Sequence, residues 1–274
     1  MQGVPTHFDS PTDAAEFRHP AHRGGIELYR AHIVRHAFEP HMHAAFGLGA
    51  IESGVERFRY AGAEHLAPPD SLVLMNPCEV HTGRAETEGG WRYRMIYLDA
   101  EVLEEISGER SWWFTAAVQH DPQRARRAGQ LLERLWQAQS PLALDSLLLE
   151  LLREIQPHAR RPRPLAAEGR QRFAGVIDYL QAHMAERITL EQLAAVAGLS
   201  PFHFLRRFRD QYDATPQQWL MALRLERAKG LLARGVAPVR VAVETGLADQ
   251  AHLTRAFSRR YGTTPARYQR QLRG

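Results

Sequence analysis

The chain has 274 residues, a formal net charge of +4 and 44% hydrophobic residues, which is the size and composition of two ordinary globular domains. A single cysteine, Cys78, excludes an intramolecular disulfide and a cysteine-rich zinc site, and no stretch reaches the length and apolarity of a membrane span. The charge is unevenly placed. Residues 1–156 carry 15 Arg and 22 acids, whereas residues 157–274 carry 19 Arg, one Lys and 9 acids, a balance that points to nucleic-acid binding by the C-terminal part alone.

Residues 1–24 are polar and punctuated by Pro and Gly, and read as a flexible arm. Arg18, His19, His22 and Arg23 interrupt them, so they lack the apolar core of a signal peptide and a cytoplasmic protein is expected. From Ile26 to Leu98 short β-type runs alternate with turn signals. The runs are Ile26–Val34, Phe46–Ile51, Val55–Tyr60, Ser71–Met75 and Trp91–Leu98. The turns include Glu52-Ser53-Gly54, Ala61-Gly62, Pro68-Pro69-Asp70 and Gly89-Gly90. This spacing predicts a small barrel or sandwich.

Three features of that segment bear chemistry. His41 and His43 place two imidazoles on one side of an extended stretch, and His81 leads a second one; three converging histidines can bind Zn or Fe. Trp91, Tyr93, Met95 and Tyr97 share one face of the last run, and Arg92 and Arg94 the other. The aromatic set can line an organic ligand and the arginines can hold a carboxylate. Cys78 has no adjacent catalytic pattern and is expected as a small buried side chain.

Beyond Leu98 the period becomes helical. Glu101–Ile106 predicts a short helix, and Pro122–Gln139 and Leu142–Ile155 predict two longer ones. Leu144, Leu147, Leu148, Leu151, Leu152 and Ile155 form an apolar face dense enough for either a helix pair packed on its own barrel or a dimerisation surface, and a homodimer is expected. Trp112-Trp113-Phe114 is expected to pack between barrel and helices. Residues 157–169, with Pro157, Pro162, Pro164 and three arginines, read as a solvated linker.

The last third contains a repeat. Leu193-Ala194-Ala195-Val196-Ala197-Gly198-Leu199-Ser200 precedes His203-Phe204-Leu205-Arg206-Arg207-Phe208, and Val241-Ala242-Val243-Glu244-Thr245-Gly246-Leu247-Ala248 precedes His252-Leu253-Thr254-Arg255-Ala256-Phe257. Each copy closes on Thr-Pro, at Thr215-Pro216 and Thr264-Pro265. Gly198 and Gly246 stand where a first helix must stop, Ser200 can cap the next helix, and Thr189/Gln192 and Thr215/Gln218 can form capping boxes. Phe204/Phe208 and Leu253/Phe257 lie at i, i+4 and anchor each second helix in a core. A helix from Pro216 to about Ala233 joins the copies. This is the grammar of two helix-turn-helix units.

On these motifs, above all Gly246 through Phe257 and Tyr261-Gly262-Thr263-Thr264-Pro265-Ala266-Arg267-Tyr268, residues 170–272 resemble the DNA-binding domain of the AraC/XylS family of bacterial transcription regulators. The front segment resembles the cupin barrel that commonly precedes such domains as an effector sensor. The resemblance implies an α+β chain of two domains: a cupin-like β-barrel with a helical hairpin at 25–156, and an all-α domain with two helix-turn-helix motifs at 170–274. It implies a sequence-specific DNA-binding regulator, an activator by family habit. Its partners would be double-stranded promoter DNA, a small-molecule effector of unstated identity and RNA polymerase, with no membrane and no catalysis.

Base-facing positions carried over from the family are Phe202, Leu205 and Arg206 in the first reading helix, and Gln250, Ala251, Thr254 and Arg255 in the second. Arg207 and Arg259 are read as phosphate contacts. His41, His43, His81, Trp91 and Tyr93 are the candidate effector residues. Metal-binding cupins add a Glu four or five residues beyond the His-x-His pair, where Gly47 and Leu48 stand here. No cofactor is therefore expected, with a metal on His41, His43 and His81 as the alternative. Two other functions fit the same residues: a metal-dependent cupin enzyme with a helical tail, and a constitutive DNA-binding protein whose barrel dimerises.

Overall fold

The computed structural model describes residues 10–159, 173–212 and 214–273. The front domain holds ten strands among these residues: β1 (Ala14–Arg18), β2 (Ile26–Ile33), β3 (Phe38–His41), β4 (Phe46–Ser53), β5 (Glu56–Tyr60), β6 (Ala63–Ala67), β7 (Leu72–Met75), β8 (His81–Ala85), β9 (Trp91–Leu98) and β10 (Val118–Gln119). They form two sheets, ordered β1-β2-β9-β4-β7-β10 and β3-β8-β5-β6. The hairpin between β5 and β6 turns on Ala61 (φ 50°) and Gly62 (φ 86°), both left-handed as a two-residue turn of matching twist requires.

Strand β9 is the centre of the larger sheet and pairs along its length with β2 and β4. Trp91, Tyr93 and Met95 point between the sheets, while Ile96 and Leu98 point outward under helices. Arg92 and Arg94 share that outer face, where Arg94 pairs with Glu52 and with Glu133. The arginines are thus excluded from the interior.

The covering helices are α1 (Ala100–Ser107), α2 (Pro122–Gln137) and α3 (Pro141–Ile155). Asp121 and Ser140 cap the last two through their side chains. Leu144, Leu147, Leu148, Leu151, Leu152 and Ile155 are all buried within the chain, in one cluster with Trp112, Phe114 and the outer face of the sheet. The leucine face is therefore packed on its own barrel and offers nothing to a second copy. Two further expectations are corrected. Ala14–Arg18 is no loose arm: its alternation buries Ala15 and Phe17, and it pairs with β2. Cys78 is exposed, because it occupies a left-handed turn position (φ 61°) whose N–H donates to the His43 carbonyl at 2.7 Å. Most of the expected linker, from residue 160 on, and residues 1–9 of the arm lie outside the described residues.

The C-terminal domain comprises α4 (Ala174–Ala182), α5 (Leu190–Val196), α6 (Pro201–Tyr212), α7 (Pro216–Ala233), α8 (Pro238–Glu244), α9 (Gln250–Tyr261) and α10 (Pro265–Arg273). The pairs α5–α6 and α8–α9 are the two helix-turn-helix units, joined by α7. Both expected capping boxes form, and Asp249 caps α9 by accepting from the His252 N–H at 2.6 Å. Gly198 and Gly246 end α5 and α8 with φ of 63° and 69°. A Cβ on Gly246 would stand 2.6 Å from the Ala185 carbonyl oxygen, whereas one on Gly198 would meet nothing within 4 Å. Gly198→Ala is expected to cost about 1 kcal/mol for the left-handed backbone, and Gly246→Ala distinctly more. Urea denaturation of the full chain checks the order, and equal midpoints would contradict it.

The two domains share a core. Leu225, Leu253, Phe257 and Tyr268 fall in one cluster with Phe17, Tyr29, Trp91 and Tyr93. Helices α7 and α9 pack on β3, and α10 packs on β1.

Candidate functional site

Where the barrel meets the helical domain there is a small cavity of about 40 Å³. The barrel supplies its floor: Tyr29 from β2, Met75 from β7, and Tyr93, Met95 and Tyr97 from β9. The helical domain supplies Lys229 from α7, and Arg260 and Tyr261 from α9. His41, His43 and His81 stand on one wall.

Register brings the histidines together. His41 faces His81 across the β3–β8 pair, with ring centroids 4.1 Å apart, and His43 follows 5.2 Å from both. One ring nitrogen from each residue lies within 4.8 Å of the others. Nδ1 of His41 is 2.8 Å from the Glu39 carbonyl, and Nδ1 of His81 is 3.1 Å from the Glu79 carbonyl. A carbonyl only accepts, so Nδ1 carries the proton in each and Nε2 keeps its lone pair. Both ring nitrogens of His43 are buried without a hydrogen-bond partner. Burial holds His41 and His43 well below the ordinary histidine range, helped by the neighbouring His81, and burial with the Arg260 charge holds His81 at about 4.

The cationic side is locked to the barrel. Lys229, the chain's one lysine, is buried and bonded to Glu27 of β2. Tyr268 donates to the same carboxylate at 2.8 Å, and His19 Nε2 lies 2.9 Å from it. Burial pushes the Glu27 carboxyl up, but the Lys229 ammonium and the His19 contact override it and hold it at about 2. Rings of Phe17, Tyr97 and Tyr261 surround the ammonium with centroids at 5.0–5.3 Å. Arg260 donates to the carbonyls of Pro40 and Ala222, and its Nε is buried without a partner. Glu56 lies elsewhere in the lining, and burial alone raises its carboxyl to about 8, so it is neutral at pH 7.

The second surface is the outer side of the helix-turn-helix units. Phe202 is 70% exposed, Leu205 half-buried, and Arg206 and Arg207 exposed, while Phe204 and Phe208 are fully buried behind them. Arg59 of β5 borders the same groove as Phe202, Leu205 and Arg206. In α9, Gln250, Ala251, Arg255 and Arg259 are exposed and Thr254 is half-buried, with Leu253 and Phe257 in the core.

Residues 23–152 match the AraC-like ligand binding domain and residues 193–271 match a helix-turn-helix domain. The MmsAB operon regulatory protein of Pseudomonas aeruginosa is 36% identical over 270 residues, covering 96% of this chain and 83% of its own. The uncharacterized HTH-type transcriptional regulator YbfI of Bacillus subtilis is 30% identical over 235 residues, covering 83% and 86%. This chain belongs to the AraC family of transcriptional regulators. Its fold is similar to that of Vibrio cholerae ToxT: the apo crystal structure of a single-substitution variant of that protein superposes with a TM-score of 0.58 at 8% identity, over 91% of this chain and 98% of that one. The family assignment makes the front domain ligand-binding and the helical domain DNA-binding.

Of the effector residues expected in this AraC-family regulator, His41, His43, His81 and Tyr93 line the cavity. Trp91 does not: it is fully buried and stacked on Tyr93, centroids 5.6 Å apart. Sequence reasoning missed Lys229, Arg260, Glu27 and Glu56. A lone lysine at a core position of an otherwise Arg-only domain was the available signal for the first. Arg260 was hidden among the arginines read as DNA contacts.

Proposed function

We propose that the regulator binds a small organic carboxylate in the interdomain cavity, and that occupancy changes how α9 is held and so its affinity for promoter DNA. One observation carries this reading: α9 lends Arg260 and Tyr261 to the cavity from one side and presents Gln250, Ala251, Thr254 and Arg255 from another. The unpartnered Nε–H of Arg260 and the Lys229 ammonium are donors for an anion in a space lined largely by rings and methionines. Glu56, a neutral acid, offers a hydrogen bond to a second polar group. The test is a panel of small carboxylic acids, followed by thermal stability and duplex affinity of the full chain. An effective acid raises the melting temperature and shifts the affinity by about 5–150-fold, and Arg260→Gln removes both effects. No responsive acid, or a response unchanged in that variant, contradicts the reading.

For DNA, Phe202, Leu205, Arg206, Gln250, Ala251, Thr254 and Arg255 are the proposed base-facing residues, with Arg207 and Arg259 on phosphates. Arg255→Ala is expected to weaken binding to the cognate duplex by about 1–3 kcal/mol and to relax preference at one base pair. An equal loss on unrelated DNA would make Arg255 a phosphate contact. Activation through RNA polymerase in the cytoplasm, without catalysis, completes the reading. So does a homodimer formed away from the buried leucine face, for which sedimentation as a monomer at micromolar concentration would be the contrary result.

A further inference from the structure

We propose that His41, His43 and His81 form a three-histidine site for a divalent transition-metal ion. The donor chemistry suits zinc and its neighbours: imidazole nitrogens only, with no carboxylate in the group, and Cys78 exposed elsewhere. The outer contacts are those of metal-binding histidines. Nδ1 of His41 and Nδ1 of His81 each donate to the carbonyl two residues earlier, which fixes the ring and leaves Nε2 as the ligand atom. His43 supplies the strongest sign. A buried imidazole with both nitrogens unpartnered is rare in a folded protein, and a metal bond at one of them relieves it.

The span fits. Tetrahedral zinc with bonds of 2.0–2.1 Å places its ligand nitrogens about 3.3 Å apart; the three candidate nitrogens already lie within 4.8 Å of one another, and metal binding would draw them closer. Lys229 and Arg260, which share the cavity, oppose a dication; the Glu27 carboxylate, bonded to Lys229, offsets part of that charge. Three protein ligands leave a coordination position open, and the rings line the cavity proposed above for the carboxylate. The ion would thus be a further anchor for an anionic effector, and this consequence alone rests on that proposal.

The test uses the full chain, stripped with a chelator and titrated with Zn²⁺ and Co²⁺ without DNA or any acid. Calorimetry is expected to show one ion per chain. The Co²⁺ form is expected to show tetrahedral visible absorption and hyperfine-shifted ring protons from three of the 14 histidines. His43→Gln and His81→Gln should each weaken Zn²⁺ at least about tenfold, while His22→Gln, exposed and outside the group, should not. The absence of a stoichiometric ion, Co²⁺ spectra without three histidines, or unchanged affinity in both site variants would overturn the proposal. The spectra on the unmodified protein decide it even if a variant fails to fold. A negative result leaves the carboxylate screen, run with chelator present, to stand by itself.

Discussion

Lys229→Met is expected to destabilise the full chain by about 3–5 kcal/mol, because it leaves the Glu27 carboxylate buried with its counter-charge gone. The loss falls on the seam between the domains. Urea denaturation should therefore change from one transition towards two, with the helical domain cleaved earlier by protease. Adding Glu27→Gln should recover most of the loss, since an amide needs no counter-charge, and this double-mutant cycle isolates the pair. Additive losses would show that Lys229 acts through packing on its aromatic rings. The pair also predicts an acid response. With Glu27 held at about 2, its contribution is complete above the ordinary carboxylate range near 4.5 and is lost as the pH falls through about 2.

Glu56→Gln is expected to have the opposite sign. Burial raises the Glu56 carboxyl to about 8, so the folded state binds a proton that the unfolded chain releases near pH 4.5. Stability from this group is therefore complete below about pH 4.5 and falls as the pH rises towards 8. Glutamine keeps the shape and cannot ionise. It should stabilise the protein by roughly 3 kcal/mol at pH 7 and by little at pH 4.5. A gain independent of pH would show that the amide acts through packing or hydrogen bonding and not by removing the Glu56 titration. The same variant should alter which acids respond in the effector screen, if Glu56 meets their second polar group.

Much of this molecule was legible in its residues because local signals and tertiary packing agree. The strand β9 was readable from its alternation, the hairpin at Ala61-Gly62 from its turn residues, and both helix-turn-helix units from glycines, caps and paired aromatics. The outward faces of α6 and α9 were legible in the same way, since their buried residues leave the opposite positions exposed. Failures came where meaning depends on distant partners. The strand β1 is short, and its pattern of Ala15 and Phe17 gains significance only beside β2. The leucines of α3 fit a dimer or a barrel equally until the barrel is present. Arg260 is an ordinary helix-end arginine in sequence, and only the docking of α9 on β3 turns it into the cavity. Glu27 and Lys229 are 202 positions apart, so no local pattern could pair them.

The most direct test of the account is selection from a random duplex library with the full-length protein at near-physiological salt, repeated with Arg206→Ala and Arg255→Ala. Two short elements about one helical turn, roughly 10–10.5 base pairs, apart are expected, with each variant relaxing a different element. A single element relaxed by both variants, or no enriched sequence with or without the effective acid, would contradict the claim that both units read DNA under control of the interdomain cavity.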